Sequence, residues 1–366
     1  MHRSIESSQG GWPEGSALDA VALQAPATER EGGFDNASSG AALRQMIGGF
    51  WISQAIYVAA ELGIADLLNG GPRCVEELAA QTHAHAGALY RLLRALASVG
   101  VFHEVGESRF ALTPLAEGLS SDVEGSQRAF AVVMGAEIYQ AWGNLHFCVE
   151  TGGEAFQKTF GMECFRYFTE HPERGRIFDA AMTGVHGGET EPMLDAYDFS
   201  RFESVADVGG GNGLTLAGIL QRHPGMTGVL FELPGVAEGA RELLARLGLT
   251  DRCRIVEGDF FASVPPGCDA YLMRHVIHDW DDAKAEAILS NCRRAMGPEG
   301  RVLLVEHVIA SGNAPSFGKW LDLMMLVVGG RERTEEQYRR LLEGAGLRLA
   351  RVVPTAAGVS VLEAVG

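Results

Sequence analysis

The sequence lacks the features that assign a chain to several large classes of protein. Among its 366 residues, no run approaches the roughly 18 to 20 consecutive apolar residues that a membrane helix needs. The first residues also lack the apolar core of a secretory signal. The six cysteines include no CxxC pair, so neither a zinc ribbon nor a dense disulfide framework is indicated. These absences predict a cytoplasmic protein with reduced, mostly buried thiols.

Positive charge is scarce as well. The chain carries 30 Lys and Arg against 47 Asp and Glu, which gives a formal net charge of −17 at pH 7. A surface of this sign repels the phosphate backbone of nucleic acids and the headgroups of anionic lipids. The charge therefore predicts that neither nucleic acid nor a membrane is a partner.

In the first third of the chain, the composition and the hydrophobic pattern change near residue 39. Residues 1–38 are rich in Ser, Gly, Glu and Ala without a sustained apolar period, which predicts a flexible tail. Residues 39–120 show apolar side chains at helical spacing, then two alternating segments on either side of Gly106 and Glu107. Three helices followed by a small hairpin are the pattern of a winged helix, which we predict for this domain.

The rest of the chain divides into an aromatic helical segment and an alternating one. Residues 121–195 are predicted to be helical and either cover a pocket or form plain core. In residues 196–366, short apolar strands alternate with helices, which predicts a parallel sheet covered on both faces. The last two strands, at 347–353 and 359–365, are joined too tightly to be parallel. We expect an α/β domain that ends in an antiparallel hairpin.

Glycine is abundant, and its densest cluster excludes two familiar ligand sites. Residues 207–213 read Asp-Val-Gly-Gly-Gly-Asn-Gly, directly after a predicted strand. The dinucleotide fingerprint G-x-G-x-x-G fails here because position 214 is leucine and position 212 is asparagine. The lysine of a phosphate-cradling loop is missing too. The loop therefore predicts close backbone approach to a ligand that has no diphosphate.

Acidic and aromatic residues follow the next two predicted strands. Glu232 ends the second strand, where a carboxylate can accept both hydroxyl hydrogens of a ribose. Asp259 follows the third strand and could accept from an adenine amino group, with Phe260 beside it to cover the ring. Each residue alone is common in loops. Together, at successive strand ends, they predict a site for a ligand that bears adenosine.

Five short motifs, in this order, resemble those of one enzyme family. They are Asp-Val-Gly-Gly-Gly-Asn-Gly (207–213), Phe-Glu-Leu-Pro (231–234), Gly-Asp-Phe-Phe (258–261), His-Asp-Trp (278–280) and Gly-Gly-Arg-Glu-Arg-Thr (329–334). The chain from about residue 43 onward resembles class I S-adenosylmethionine-dependent small-molecule O-methyltransferases. Plant caffeic acid O-methyltransferase and bacterial polyketide-tailoring enzymes typify that family.

The resemblance implies a fold and a cofactor. The fold would be a Rossmann-like methyltransferase domain with a mostly parallel seven-stranded sheet and an antiparallel C-terminal hairpin. An N-terminal winged-helix domain would pair two copies into a homodimer. The cofactor would be S-adenosylmethionine, held by Gly209, Gly211, Glu232, Asp259, Phe260, Arg274 and Trp280. Met182 and Met325 would lie near the substrate, although methionine is also a common filler of cores.

The same resemblance implies the residues of catalysis. Transfer of a methyl group needs an acceptor oxygen that has lost its proton, and His278 lies just past the fourth predicted strand to take it. Glu306 and Glu332 stand where the family places two glutamates beside its base histidine. Asp279 would orient the base or substrate, or else cap the next helix. The alternative for His278 is a surface or capping histidine, and for the glutamates ordinary surface charge.

Two nearby histidines are interpreted as decoys, and no metal is expected. His275 is predicted within the fourth strand, and alternation should point His307 away from Glu306. We identify no Asp/Asn cluster that would bind Mg²⁺. The segment 322–330 lacks the asparagine expected before the double glycine of plant enzymes, which favours a microbial aromatic substrate.

Two other functions remain open at this point. Some relatives of the family use the same site for hydroxylation or decarboxylation of aromatic polyketides. A winged helix can also bind DNA as part of a regulator. Against that, the helix that would bind DNA carries only two charged residues, Arg91 and Arg94. Two arginines are few for contacts with the DNA phosphates.

Overall fold

A computed structural model describes residues 36–234 and 236–366. The predicted tail lies outside the described residues up to position 35, and its last three positions fall in a helix that begins at Asn36. The chain separates into two compact units at Glu117 and Gly118, and each is described by itself. None of the described helices is long and apolar enough to cross a membrane.

The N-terminal unit is a winged helix, as predicted. Its elements are α1 (Asn36–Ile47), α2 (Gly49–Glu61), α3 (Ile64–Leu68), β1 (Arg73–Cys74), α4 (Val75–Thr82), α5 (Ala86–Ala97), β2 (Phe102–Gly106), β3 (Arg109–Leu112) and α6 (Pro114–Glu117). The three strands form an antiparallel sheet in the order β1-β3-β2. Leu93, Leu96 and Phe110 fill the core between helices and sheet.

The hairpin turn differs from the prediction by one residue. The turn consists of Glu107 and Ser108, whereas Gly106 still belongs to β2. A register shift between Glu104 and Gly106 takes up the extra residue. Ser108 adopts a φ of 56°, a left-handed conformation that glycine favours more than serine does. Gly106 and Glu107 were predicted to form the turn, but Gly106 lies at the register shift between β2 and β3 instead.

The first two helices expose a row of large apolar side chains. Leu43, Met46, Ile47, Phe50 and Trp51 are between 47% and 69% exposed. Contiguous exposed apolar surface of this kind usually marks a protein interface. The row therefore fits a surface that a second protein covers.

The second unit begins with helices that form an aromatic core of their own. They are α7 (Arg128–Val133), a π-helical turn (Met134–Ile138), α8 (Tyr139–Trp142), α9 (Leu145–Thr151), α10 (Ala155–Phe160), α11 (Cys164–Glu170), α12 (Pro172–His186), a 3₁₀ turn (Gly187–Glu189) and α13 (Thr190–Ala196). Phe156 and Phe168 are buried among them, and Phe160, Tyr167 and Phe178 pack around these two rings. Helical structure in this segment was predicted.

A seven-stranded sheet organises the rest of the unit in the order β6-β5-β4-β7-β8-β10-β9. Its strands are β4 (Ser204–Val208), β5 (Thr227–Glu232), β6 (Cys253–Glu257), β7 (Ala270–Arg274), β8 (Arg301–Glu306), β9 (Arg348–Pro354) and β10 (Ser360–Val365). The first five pair in parallel, and β10 runs antiparallel to β8 and β9. The predicted fold class and the antiparallel hairpin are confirmed.

Helices cover both faces of this sheet. They are α14 (Leu214–Arg222), α15 (Ala237–Arg246), α16 (Asp282–Ala295), α17 (Phe317–Val328) and α18 (Glu335–Gly344), with a 3₁₀ turn (Ile277–Asp279) after β7. Two apolar clusters result, one on each face of the sheet. The inner strands β4, β5, β7, β8 and β10 are largely buried and mostly apolar in sequence, whereas the edge strands β6 and β9 are partly exposed. The carboxyl ends of β4, β5, β7 and β8 meet at one edge, where the candidate site lies.

Candidate active site

The glycine loop after β4 is tied to the acidic end of β5. Gly209 and Gly211 have φ values of 72° and 57°, which side chains other than glycine rarely adopt. The Gly211 N–H donates to Glu232 Oε2 at 3.0 Å, and the Leu233 N–H donates to Glu232 Oε1 at 2.8 Å. Burial raises the pKa of Glu232 above its usual value. The loop and the carboxylate therefore form one preorganised edge of the site.

Asp207 and Arg274 lie beneath this loop. Asp207 is buried, its Oδ2 has no hydrogen-bond partner in the described part of the chain, and burial raises its pKa to about 7. Arg274 donates to the His186 carbonyl at 3.0 Å and to Thr190 Oγ1 at 3.1 Å. Its hydrogen bonds therefore fasten α12 and α13 to the sheet, a role that the sequence did not indicate. A direct contact between Arg274 and the cofactor stays a prediction.

Aromatic rings line the neighbouring edge of the site. The rings of Phe261 and Trp280 meet edge to face with centroids 4.9 Å apart, and Phe260 lies 6.1 Å from Trp280. Asp259 Oδ1 accepts from the Phe261 N–H at 2.8 Å. Asn291, which sequence reasoning missed, donates its amide to the Phe260 and Phe261 carbonyls at 2.6 and 3.0 Å. Nothing in the local pattern of α16 marks this asparagine as a support.

These groups fit an adenosyl ligand that carries positive charge. Trp280 Nε1 is buried and finds no acceptor among residues 36–234 and 236–366, so it remains available to a ligand. A Cβ at Gly211 would meet no atom within 4 Å, so the backbone there borders open space. Glu232 and Asp259 supply acceptors, and Phe260 and Trp280 supply ring faces. This donor and acceptor set suits S-adenosylmethionine.

A buried acid–base cluster occupies the other half of the site. His278 Nδ1 lies 2.6 Å from Glu332 Oε1 and 3.7 Å from Glu306 Oε2, and its Nε2 lies 3.4 Å from Asp279 Oδ1. Glu306 is completely buried, and Glu332 and His278 are almost so. The structure thus brings together all four residues that the resemblance placed in catalysis, and it excludes a surface position for the glutamates.

Backbone contacts hold the turn that carries His278. Glu306 Oε1 accepts from the Ile277 N–H at 3.0 Å, and the Arg331 N–H donates to the His278 carbonyl at 2.7 Å. A Cβ at Gly330 would lie 2.2 Å from that same carbonyl oxygen, so only glycine allows this approach. The close approach brings the loop after α17, and with it Glu332, against the turn.

Arg333 is a support that sequence reasoning did not assign, although it lies in one of the quoted motifs. Its guanidinium is buried and donates to the carbonyls of Ile277 and Trp280 at 3.1 and 2.8 Å. It also pairs with Asp282 at 2.8 Å. Arg333 therefore holds the His278 turn by the carbonyls on either side of it.

The predicted alternative that Asp279 caps α16 is wrong, because Asp281 accepts from the Lys284 N–H at the start of that helix.

The electrostatics of the cluster follow from burial and close charges. Burial alone would disfavour the imidazolium form of His278, but attraction to Glu306, then Asp279 and Glu332, raises its pKa to about 10. Burial raises the pKa of Glu306 to about 8 and that of Asp279 to about 6. Three buried carboxylates and one imidazole cannot all be ionised together. The cluster therefore retains protons at neutral pH and shares them among its members.

The strand positions from which His275 and His307 were interpreted as decoys are wrong. The strand ends at Arg274, and His275 follows it with a left-handed φ of 54°. Its ring lies 5.2 Å from that of His278 and 5.8 Å from that of His307. Alternation does not point His307 away because β8 ends at Glu306. Glu189, on the 3₁₀ turn after α12, also reaches this region, and no sequence signal linked it to the site.

Two overlapping sets of side chains place donor atoms within 4.8 Å of one another: His186, Glu189 and His275, and His275, His278 and Glu306. In both sets the carboxylate already accepts hydrogen bonds from an imidazole or from backbone N–H groups. Arg274 also lies 4.0 Å from Glu189. We therefore interpret these groups as a hydrogen-bonded network, and the expectation of no metal stays a prediction.

The two methionines assigned to the substrate lie in different surroundings. Met182, on α12, is partly buried and packs against the aromatic core of the helical segment. Met325 is buried, and its carbonyl accepts from the N–H groups of Gly329 and Gly330 at 2.8 Å each. Its backbone thus ends α17 ahead of the Glu332 loop. A substrate contact for either methionine stays a prediction.

Comparison with known proteins identifies the family to which this fold and site belong. The model of the O-methyltransferase domain matches residues 142–348, and that of the O-methyltransferase dimerisation domain matches residues 44–122. A phenazine O-methyltransferase, PhzM, from Lysobacter antibioticus is 47% identical, covering 88% of this chain and 95% of that protein. A mitomycin biosynthesis 6-O-methyltransferase from Streptomyces lavendulae is 40% identical, with 90% and 95% covered.

A solved structure extends the comparison to ligands. NcsB1, an O-methyltransferase from neocarzinostatin biosynthesis, was crystallised with S-adenosylmethionine and 2-hydroxy-5-methyl naphthoic acid. It is 32% identical, with 86% of this chain and 95% of that chain covered, and its TM-score is 0.77. The chain therefore belongs to the O-methyltransferase family: it is an S-adenosylmethionine-dependent O-methyltransferase with the family's N-terminal dimerisation domain.

Proposed function

We propose that this enzyme methylates a phenolic hydroxyl of an aromatic natural product and that His278 is its general base. The observation that carries this proposal is the 2.6 Å contact between His278 Nδ1 and Glu332 Oε1 inside a buried cluster. A carboxylate on Nδ1 leaves Nε2 as the nitrogen that takes the substrate proton. The same carboxylate stabilises the imidazolium that forms when the proton arrives.

The reaction is a direct displacement on carbon, so orientation matters as much as basicity. S-adenosylmethionine, when bound, supplies an electrophilic methyl group on a positively charged sulfur. The phenolic O–H would give its proton to His278 Nε2 as its oxygen bonds to the methyl carbon from about 3 Å away, while the carbon–sulfur bond breaks and its electron pair leaves with S-adenosylhomocysteine. Asp279, 3.4 Å from Nε2, restrains the plane of the ring. Glu306 holds the turn through the Ile277 N–H.

The raised pKa of His278 matches the base to its substrate. A phenol titrates near pH 10, as tyrosine does, and the acidic groups around His278 raise its pKa toward that value. Proton sharing between two groups of equal pKa costs little free energy. An unassisted imidazole, with a pKa near 6.5, would be a much weaker base toward phenol.

We propose that the cofactor is held by the residues of the open edge. Gly209, Gly211 and Glu232 bind the ribose side, and Asp259, Phe260 and Trp280 bind the adenine. The contact from Glu232 to the glycine loop and the unpartnered Trp280 Nε1 support this assignment. Arg274 acts on the same edge from below by fixing the helices above it. Met182, on α12, and Met325, on α17, face the substrate.

The substrate is proposed to be a microbial aromatic compound with a free hydroxyl. Relatives named for phenazine and mitomycin methylation, and a neighbour crystallised with a hydroxynaphthoic acid, support this class. We also propose that α1 and α2 pair two copies of the chain, because all of their exposed apolar row except Leu43 lies within the matched dimerisation domain. Neither nucleic acid nor a membrane is proposed as a partner.

A product assay tests this function. Enzyme, S-adenosylmethionine and a panel of hydroxylated phenazines and naphthoic acids are incubated, and products are followed by mass spectrometry. We expect one S-adenosylhomocysteine for each methyl ether, with no loss of activity in EDTA. A product hydroxylated or decarboxylated without gaining a methyl group would contradict the proposal. Methylation on nitrogen alone would contradict the phenolic acceptor.

A further inference from the structure

His275 occupies a position that carries a conformational cost. Its φ of 54° lies in the left-handed region, which histidine enters more readily than most residues but which still costs free energy. Its side chain is only 6% exposed and lies between two carboxylates from separate elements, Glu189 and Glu306. Strain at such a residue points to a task for its side chain.

The contact with Glu189 fixes the tautomer of His275. Nε2 lies 2.7 Å from Glu189 Oε2, and an ionised carboxylate can only accept, so Nε2 carries the hydrogen. Although burial opposes ionisation of Glu189, hydrogen bonds from His186 and His275 keep its pKa below the usual value. Burial holds the pKa of His275 well below its ordinary value, so the ring is neutral. Its Nδ1 therefore presents a lone pair.

That lone pair faces a second unsatisfied atom. His275 Nδ1 and Glu306 Oε2 are both buried, neither has a hydrogen-bond partner in the described part of the chain, and they lie 3.8 Å apart. The other oxygen of Glu306 already accepts from the Ile277 N–H. One proton on Glu306 Oε2, donated to His275 Nδ1 after a small approach, would satisfy both atoms.

We propose that His275 is a positioning residue of the methyl-transfer site: it accepts a hydrogen bond from protonated Glu306, so that Glu332 is the glutamate that accepts from His278 Nδ1. This inference rests on the proposed role of His278 as base. With Glu306 neutral, His278 faces one fewer negative charge and gives up its proton more readily. Glu189 acts behind His275 by keeping the hydrogen on Nε2.

The surrounding charges are consistent with this arrangement. His275 is faced by His186 and Glu189 of the helical segment, by His278 and by Glu306, with His307 5.8 Å away. Arg274, its chain neighbour, turns its guanidinium toward His186 and Glu189 instead. The charged groups acting on Glu306 itself are His278, Glu332 and Asp279, and Glu306 in turn acts on buried Tyr338. Attraction to His278 favours the ionised form of Glu306, but burial, the largest cause, and repulsion from Glu332 and Asp279 favour the neutral form and raise its pKa to about 8.

The tautomer can be measured without any turnover. Enzyme labelled with ¹⁵N-histidine, assigned by comparison with a His275→Asn sample, reports which ring nitrogen carries hydrogen. We expect His275 to be neutral, with hydrogen on Nε2, throughout the neutral pH range. Hydrogen on Nδ1, or an imidazolium, would overturn the proposal even if methylation proceeds as proposed. A failure of His278 as base would leave this spectrum unchanged, so the two claims fail separately.

Variants test the effect on catalysis. His275→Ala removes the acceptor of the proposed hydrogen bond from Glu306, so Glu306 ionises more easily. His278 then holds its proton more tightly, and the acidic limb of the pH profile of kcat/KM should move to higher pH by about one unit. His275→Asn tolerates the left-handed backbone and places an oxygen near the position of Nδ1, so its limb should stay close to that of the wild type. His307→Gln, at the neighbouring histidine, is the matched control and should not shift the limb.

Glu189→Gln gives an independent route if His275→Ala does not fold. A glutamine can donate to Nε2, which reverses the tautomer and makes Nδ1 a donor that favours ionised Glu306. The limb should again move to higher pH. A loss of kcat without movement of the limb in either variant would show a merely structural role and overturn the proposal. Affinity for S-adenosylhomocysteine, measured by calorimetry, should change by no more than a few-fold in all these variants.

Discussion

The two halves of the site are built in different ways. The cofactor edge is built at successive strand ends: Glu232, the last residue of β5, accepts from Leu233 and from Gly211, 21 positions earlier, and Asp259 accepts from Phe261. The acid–base half is buried and long-range: His278 meets Glu332, 54 positions later, and the Ile277 N–H meets Glu306, 29 positions later. Binding therefore depends on local loop conformation, and catalysis depends on the whole packed core.

The most severe test of this comparison is to remove the base alone. His278→Ala should lower kcat by about 10² to 10⁴, because the phenolic proton has no acceptor at the right place. Affinity for S-adenosylhomocysteine should stay within a few-fold of wild type, since the cofactor edge does not depend on this side chain. Steady-state kinetics and calorimetry measure both quantities. Near-normal turnover would show that proximity alone drives the reaction.

Gly330→Ala disrupts the close packing of the loop after α17 against the turn that carries His278. The new Cβ would lie 2.2 Å from the His278 carbonyl, so the backbone must move, at a cost of about 1 to 3 kcal/mol in the free energy of unfolding. Activity should fall with it. The matched control is Gly297→Ala, whose Cβ would meet nothing within 4 Å. Thermal unfolding measures both; equal melting temperatures for the two variants would contradict the close approach.

Glu232→Gln probes the cofactor half and should have a milder effect. A neutral amide in place of the carboxylate weakens the hydrogen bonds to the ribose hydroxyls and to the glycine loop, which should raise KM for S-adenosylmethionine about tenfold. We expect kcat at saturating cofactor to change little, the reverse of the His278→Ala result. Loss of kcat with unchanged KM would mean that the two halves are not separable as described.

The sequence was enough to predict the sheet and the cofactor edge because both rest on local patterns. Apolar strands between helical stretches predicted the parallel sheet, and the short turn before residue 359 required an antiparallel hairpin. Glu232 and Asp259 were predicted for this edge because they stand at the ends of successive strands. One local prediction failed: the hairpin turn uses Ser108 at positive φ, which nothing in that residue type favours.

Sequence could not show the contacts that bridge distant elements. Arg333 and Asn291 support the site through backbone carbonyls, and no spacing rule connects them to their acceptors. Glu189 and His275, 86 positions apart, meet next to the hydrogen bond from Arg274 to the His186 carbonyl. His275 was interpreted as a decoy because it was placed within a strand, and His307 because of alternation along one, but both strands end just before these histidines. Beyond the end of a strand, the direction of a side chain depends on the conformation of the loop and no longer on the alternation of the pleated strand.

The account's central claim is that Glu332 makes His278 the base, and a pH profile tests it most directly. Glu332 helps to raise the pKa of His278, so kcat/KM of the wild type should increase with pH toward about 10 as the imidazole loses its proton. Glu332→Gln removes that attraction, so the pKa of His278 falls and the acidic limb should move to lower pH by about one unit, with a smaller plateau. A limb that stays in place, or moves to higher pH, would contradict the account.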